Sequence, residues 1–299
     1  MVAGATDGYY ELNLEELSSH ADLVEREPPN NNLEQALAEN HGVAKENILV
    51  SDSSLGLAKA IIQGVDGPVG ILVPDYHEYK SYCQQPRMIE RTDGFDIPEI
   101  SDVEAVVLSN PNNPTGTHHE LSQIVERTQS LLIVDEAYID FIGEERSLAT
   151  HLRSNLVVLR TFSKFYGVKV GYAVGPADLL QSIDANRPDE PELRRARAML
   201  DHPMKDEAWQ NACGRRRFLK GILHELGCET VDSCTNFVMA KRPYGDLVRV
   251  MKDLNVRVLD LNRTEGIQLQ GYCGVAVGSY DQLIELQRRV RSCQYAQAL

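Results

Sequence analysis

A chain of 299 residues, 42% hydrophobic and 25% charged, has an ordinary globular composition and enough length for one large domain plus a smaller one. Its formal net charge of −14 argues against a sequence-independent grip on nucleic-acid phosphates, which needs clustered Lys and Arg. The dense basic run Arg215-Arg216-Arg217 falls on a predicted helix and reads as a solvated face. None of the six cysteines forms a C-x-x-C pair, which argues against a zinc site, and a chain of this size without an export signal is not expected to carry disulfides. The segment Met1 to Asp7 has no basic region leading into an apolar stretch, and no run approaches a membrane span. The expectation is a cytoplasmic protein with no membrane, nucleic-acid or metal partner.

The first thirty or so residues are acidic and weakly periodic, and the cluster Glu27-Pro28-Pro29-Asn30-Asn31-Asn32 reads as a linker or turn. Regular structure starts at Leu33, with a helix to Asn40 and a short strand at Ile48-Leu49-Val50. Leu55 to Gln63 is apolar enough for a packed helix. Val69 to Val73 reads as a buried strand broken by Pro74, and Ala105 to Leu108 as another, followed after a loop by a helix from Glu120 to about Gln129. Leu131 to Val134 and Leu156 to Leu159 are two further apolar runs, and Tyr172-Ala173-Val174 a shorter one. Uninterrupted apolar strands separated by helices indicate an α/β fold with a mostly parallel sheet covered on both faces. Ligands of such sheets bind at the carboxyl ends of the strands.

After about Asp201 the pattern changes. A long helix is predicted from Asp206 to Leu226, stopped by Gly227. A strand (Phe237 to Ala240), a helix (Asp246 to Leu254), two short strands (Val256 to Leu259 and Val275 to Val277) and a last helix follow. That helix opens on Ser279-Tyr280-Asp281-Gln282, a capping-box pattern. This tail reads as a second, smaller α+β domain.

The strand ends carry a chemically coherent set. Lys164 follows the run Leu156 to Leu159 within Arg160-Thr161-Phe162-Ser163-Lys164, and Asp135 and Tyr138 follow Leu131 to Val134. Asn113 lies in Asn110-Pro111-Asn112-Asn113-Pro114-Thr115-Gly116, after Ala105 to Leu108. Pyridoxal 5'-phosphate (PLP) needs these groups. A lysine amine forms the internal aldimine and moves protons at the substrate Cα, and a carboxylate keeps the pyridine nitrogen protonated. Lys164 and Asp135 match those two roles. Tyr138 and Asn113 are placed to donate to the phenolic oxygen. The phosphate needs backbone N–H groups at a helix start together with hydroxyls. Ser53, Ser54 and Leu55 open a helix, and Thr161 and Ser163 flank the lysine. Taken alone, Ser51 to Ser54 would read as an ordinary helix cap and Asn113 as a turn residue. Tyr76 or Tyr79, after Pro74-Asp75, is placed to stack on the ring, with core packing as the alternative.

Asn110 to Gly116, Val134-Asp135-Glu136-Ala137-Tyr138 and Arg160 to Lys164, in this order, resemble the class I/II aminotransferases of PLP fold type I. Within that family the chain is similar to the histidinol-phosphate aminotransferases and the related threonine-phosphate decarboxylases. The resemblance runs from about Leu33 to Val290 and includes Ser233-Cys234-Thr235-Asn236-Phe237 and Val275-Ala276-Val277-Gly278-Ser279. It implies the aspartate aminotransferase-like fold, PLP as cofactor, a small-molecule amino substrate and a homodimer with active sites near the subunit interface. The implied division is a large PLP-binding domain over residues 31–200, and a small domain with an N-terminal arm over 1–30 and 201–299.

Four departures from the family pattern bear on function. Lys169 stands where the family has an arginine for the cofactor phosphate, and lysine lacks the bidentate fork. Gly274 occupies the position of an arginine that clamps a substrate carboxylate or phosphate, and a second anion-binding arginine would fall near Leu259. Glu27-Pro28-Pro29 stands where the family has a tyrosine-proline segment. Arg257 or Arg263 are candidate substitutes for the missing cation. The resulting expectation is an aminotransferase-type enzyme for an unusual amino acid or amine, with a decarboxylase or lyase on the same scaffold as the alternative.

Overall fold

The computed structural model of the chain describes residues 32–202, 205–264 and 269–297. The segment Glu27-Pro28-Pro29 lies outside the described residues. From the N-terminal side come α1 (Leu33–His41), β1 (Ile48–Ser51), α2 (Ser54–Gln63), β2 (Val69–Val73), α3 (Tyr79–Tyr82) and β3 (Pro86–Glu90). Next are β4 (Ala105–Ser109), α4 (Ser122–Arg127), β5 (Leu131–Asp135), β6 (Leu156–Thr161), α5 (Ser163–Tyr166), β7 (Gly171–Val174), α6 (Ala177–Gln181) and α7 (Glu190–Leu200). Strands β1 to β7 form a seven-stranded sheet in the order β1-β7-β6-β5-β4-β2-β3. The pairs from β3 through β2, β4 and β5 to β6 are parallel, while β7 runs antiparallel to both β6 and β1.

The unbroken apolar runs are explained by burial on both faces. Val106, Leu108, Leu132, Val134 and Val158 pack into one core, and Ala105, Val107, Ile133, Val157 and Leu159 into the other. This alternation follows the period of two along each strand.

The rest of the chain supplies α8 (Lys205–Glu225), β8 (Glu229–Thr230), β9 (Phe237–Lys241), α9 (Leu247–Asp253), β10 (Leu259–Asp260), β11 (Tyr272–Ala276) and α10 (Tyr280–Gln297). Its four strands form an antiparallel sheet in the order β10-β11-β9-β8. A third core, with Leu219, Val238, Met251, Val275 and Leu283 among its members, joins this sheet to α8, α9 and α10. The capping box at Ser279 is present: Gln282 N–H donates to Ser279 Oγ (3.3 Å) and Ser279 N–H donates to Gln282 Oε1 (2.9 Å).

Several local expectations need correction. The helix expected over 120–129 is shorter, Ser122–Arg127. The two short strands lie at Leu259–Asp260 and Tyr272–Ala276 rather than at 256–259 and 275–277. β3 is an exposed edge strand, so it carries no apolar run to announce it. α7 is absent from the elements expected from the chain, yet Leu193, Ala196, Met199 and Leu200 recur at helical spacing, and Asp189 caps the helix by accepting from Glu192 N–H at 3.0 Å. Arg215 is not on a solvated face but 4% exposed, and Arg216 donates to the carbonyls of Cys234 (3.0 Å) and Thr235 (3.1 Å). All six cysteines are free thiols. Among the described residues, no helix is long and apolar enough to cross a membrane.

Candidate active site

The parallel strands β4, β5 and β6 end side by side. Ser109 is the register partner of Asp135, and Asp135 that of Leu159. The loops that leave these three ends therefore meet at one place. Asp135 is 4% exposed there, and both carboxylate oxygens are engaged: Tyr79 donates its O–H to Oδ2 (2.8 Å) and Ala137 its N–H to Oδ1 (3.0 Å). Burial raises the Asp135 pKa, while the Tyr79 and Ala137 hydrogen bonds and the charge of Lys164 pull it back. Lys164, in the first turn after β6, places Nζ 5.8 Å from the centroid of the Tyr138 ring. Tyr138 is itself buried and packs edge-on against Phe237 of β9 at 5.3 Å.

The loops are held from behind. Arg160 donates to both Glu144 oxygens (2.8 and 3.0 Å) and to Asp140 (3.3 Å), so the segment after Asp135 is tied to β6. Glu136 accepts from Ser147 Oγ (2.5 Å) and Leu148 N–H (2.7 Å), and burial pushes its carboxyl up to about 7. On the other side Asp75 organises the loop after β4. It accepts from Ser109 Oγ (2.5 Å) and Asn112 Nδ2 (3.1 Å), and Ser109 Oγ in turn accepts from Asn113 N–H (2.9 Å).

Arg91 sits 3.0 Å from Asp75, and both side chains are fully buried. Burial pushes the Asp75 carboxyl up to about 6 against the pull of Arg91, so it is ionised at neutral pH. Removing the guanidinium leaves a buried carboxylate without its countercharge. Arg91→Leu is therefore expected to destabilise the chain by about 3–5 kcal/mol, measured by urea unfolding. A change below about 1 kcal/mol would show that the pair is dispensable.

The loops enclose a cavity of about 570 Å³. All twelve residues singled out from the sequence line it. Lys164, Asp135, Tyr138 and Asn113 stand together with Tyr76 and Tyr79, and Ser53, Ser54, Leu55, Thr161, Ser163 and Lys169 complete the wall. Tyr79 is buried with its hydroxyl committed to Asp135, whereas Tyr76 is half-buried, edge-on to Tyr79 at 5.4 Å. Ser53 caps α2 by accepting from Gly56 N–H (3.3 Å). Gly171 of β7 lies against the start of α2, where an added Cβ would come within 2.2 Å of Ser54 N. The same cavity is also lined by Asp52, Ser109, Ala137, Gly167, Glu192 and Arg195, which the sequence reading did not select. Glu192 and Arg195 lie on α7, whose Leu193, Ala196 and Leu200 at helical spacing are the signal in the chain that locates it.

A second cavity, of about 410 Å³, shares Tyr76 and Asn113 with the first. Its wall includes Met88, Pro114, Leu259 and Leu261, with His77 and Lys80. Leu259 and Gly274 are direct cross-strand partners, and Met239 pairs Gly274 from the other side. Met239 and Leu261 pack with Phe95 in a small apolar cluster. The two positions at which the resembled family has arginines thus form one apolar patch. Arg257 does not substitute for them: it is exposed and lines a different cavity, beside Gly278 and Asp281 at the start of α10.

The family model for aminotransferase class I and II matches residues 27–271. The chain belongs to this aminotransferase family. Its cofactor is PLP, and the cavity's donor set fits that group: a buried carboxylate, an amine, hydroxyls, a helix start and further cations line it together. Among relatives of this aminotransferase, the histidinol-phosphate aminotransferase of Pseudomonas putida is 32% identical over 251 residues, covering 74% of this chain and 70% of that protein. The crystal structure of histidinol-phosphate aminotransferase from Sinorhizobium meliloti in complex with pyridoxal-5'-phosphate superimposes with a TM-score of 0.75 at 20% identity, over 97% of this chain and 90% of that one. L-threonine-O-3-phosphate decarboxylase from Porphyromonas gingivalis gives 0.74 at 20% identity, over 97% of both chains. These likenesses show the aspartate aminotransferase-like fold.

Proposed function

We propose that this chain is an aminotransferase-type enzyme acting on the amino group of a small molecule other than histidinol phosphate or a free dicarboxylate. The observation that carries the reading is the meeting of Lys164 and Asp135 in one cavity, with Tyr138 and Asn113 beside them. PLP, when bound, supplies the electron sink for bond breaking at the substrate Cα. Lys164 holds the cofactor covalently and moves the proton at that carbon. Asp135 accepts from the ring nitrogen and holds its proton in place, while Tyr79, donating to Asp135, fixes the carboxylate's orientation. Tyr138 and Asn113 donate to the phenolic oxygen, and Tyr76 covers the ring face. Ser53, Ser54, Leu55, Thr161, Ser163 and Lys169 bind the phosphate. The large and small domains over 31–200 and 201–299 and the assembly into a homodimer belong to the same proposal.

The apolar patch at Leu259 and Gly274 supports the substrate assignment. A bidentate Arg–carboxylate contact in a closed site is a strong orienting interaction, and none of the described side chains lining the second cavity is an arginine; the side chain of Arg263, the other candidate substitute, lies outside the described residues. An amine or amino acid with an apolar body suits Met88, Pro114, Leu259 and Leu261 better than one with two anionic groups. The test is to mix the PLP-loaded protein with glutamate, with histidinol phosphate and with a panel of apolar amines, and to follow the cofactor's absorbance. Glutamate and histidinol phosphate are expected to react at least about 100-fold more slowly than the best apolar amine. Rapid conversion to the pyridoxamine form with either would overturn the assignment. Carbon dioxide release without a keto product would assign the scaffold to decarboxylation instead.

A further inference from the structure

Helix α7 forms part of the wall at the Ser53–Ser54 end of the cavity. Its Glu192 and Arg195 are three residues apart and share a helix face. Glu192 is a two-sided brace: Oε2 accepts from Lys169 N–H (2.7 Å) and Oε1 from an Arg195 Nη1–H (2.7 Å). Its own N–H donates to Asp189, which caps the helix. The segment before α7 is pinned to the loop before α2, because Asp52 N–H donates to the Asn186 carbonyl (3.0 Å). Arg195 is the one arginine among the described residues lining this cavity. One of its donors is committed to Glu192, and the rest of the guanidinium fork remains for a ligand.

We infer that Arg195 binds the cofactor phosphate, supplying from α7 the planar fork that Lys169 lacks, with Glu192 as the positioning residue. The inference rests on the PLP reading above. Lys169 contributes a point charge from the turn before β7, and Arg195 contributes paired, directed hydrogen bonds from α7 beside it. Glu192 neutralises Arg195 before the cofactor arrives and aims it afterwards. Its backbone tie to Lys169 keeps the two cations on one frame.

The test uses the full chain stripped of cofactor, titrated with PLP and with pyridoxal, which lacks the phosphate. Arg195→Ala is expected to weaken PLP about tenfold or more and to leave pyridoxal within about twofold, and Arg195→Lys to recover part of the loss. Glu192→Gln should show the same phosphate-selective loss at smaller size, and serves if Arg195→Ala folds poorly. PLP affinity unchanged in Arg195→Ala, or equal losses for both ligands, would overturn the inference and leave Glu192–Arg195 as a surface ion pair. Failure of the unsubstituted chain to bind PLP at all would instead overturn the cofactor reading on which it rests.

Discussion

Lys164→Ala is expected to lower turnover by about 10⁴-fold with the best amine substrate, because it removes both the covalent hold on the cofactor and the base that moves the Cα proton. No other residue lining the cavity combines an amine with proximity to Asp135. Lys164 is the lysine whose charge acts on Asp135, whereas Lys169 is tied through its backbone to Glu192. The fold should tolerate the change. Lys164 is only half-buried, and Phe162, Phe165 and Tyr166 around it supply the packing of that turn. Thermal unfolding of the cofactor-free variant should therefore stay close to that of the unsubstituted chain. A variant that keeps more than a few per cent of the activity would show that the reaction runs without this amine.

Asp135→Asn is expected to lower turnover about 10³-fold, since a preorganised charge aimed at the reacting group is worth several kcal/mol in a closed site. The substitution is nearly isosteric, but an amide has one acceptor oxygen where the carboxylate has two, so either Tyr79 O–H or Ala137 N–H loses its acceptor and faces the NH2. In the cofactor-free protein that lost acceptor costs stability at every pH, and it opposes a pH-dependent gain from removing a buried ionisable group. Burial raises the Asp135 pKa above 3.8, so the folded chain holds this proton more tightly than the unfolded chain does. The stability this group contributes is full below 3.8 and is lost as pH rises through the folded-state value. Asparagine stays neutral throughout, so the stability of Asp135→Asn relative to the unsubstituted chain should grow with pH across that window. Asp135→Ala, which also strips Tyr79 of its acceptor, should destabilise instead. A stability difference between Asp135→Asn and the unsubstituted chain that fails to move in the variant's favour as pH rises would contradict this account of the carboxylate.

Much of this site is legible in the chain because parallel strands advertise themselves. The runs before Asp135 and Lys164 are apolar without a break, since β5 and β6 are buried on both faces, and the residues that leave their ends must share a crevice. Tyr76 and Tyr79 could not be separated by spacing. Both line the cavity, and the structure separates them by burial and partner: the Tyr79 phenol is buried against Asp135, whereas Tyr76 is half-buried. The antiparallel direction of β7 was invisible, because a buried strand reads the same in either direction. Glu192 and Arg195 belong to a helix that the Asp189 cap and Leu193, Ala196 and Leu200 at helical spacing announce, but nothing along the chain reveals that its charged residues line the site. The pairing of Leu259 with Gly274 is a fact of register, and no pattern along the chain reveals that the two departures are neighbours.

The most direct test is to load the protein with PLP, reduce it with borohydride and map the modified peptide by mass spectrometry. The account predicts a phosphopyridoxyl group on Lys164 alone, absent from Lys164→Ala. A label on Lys169 or Lys80, or no label on a correctly folded chain, would contradict it.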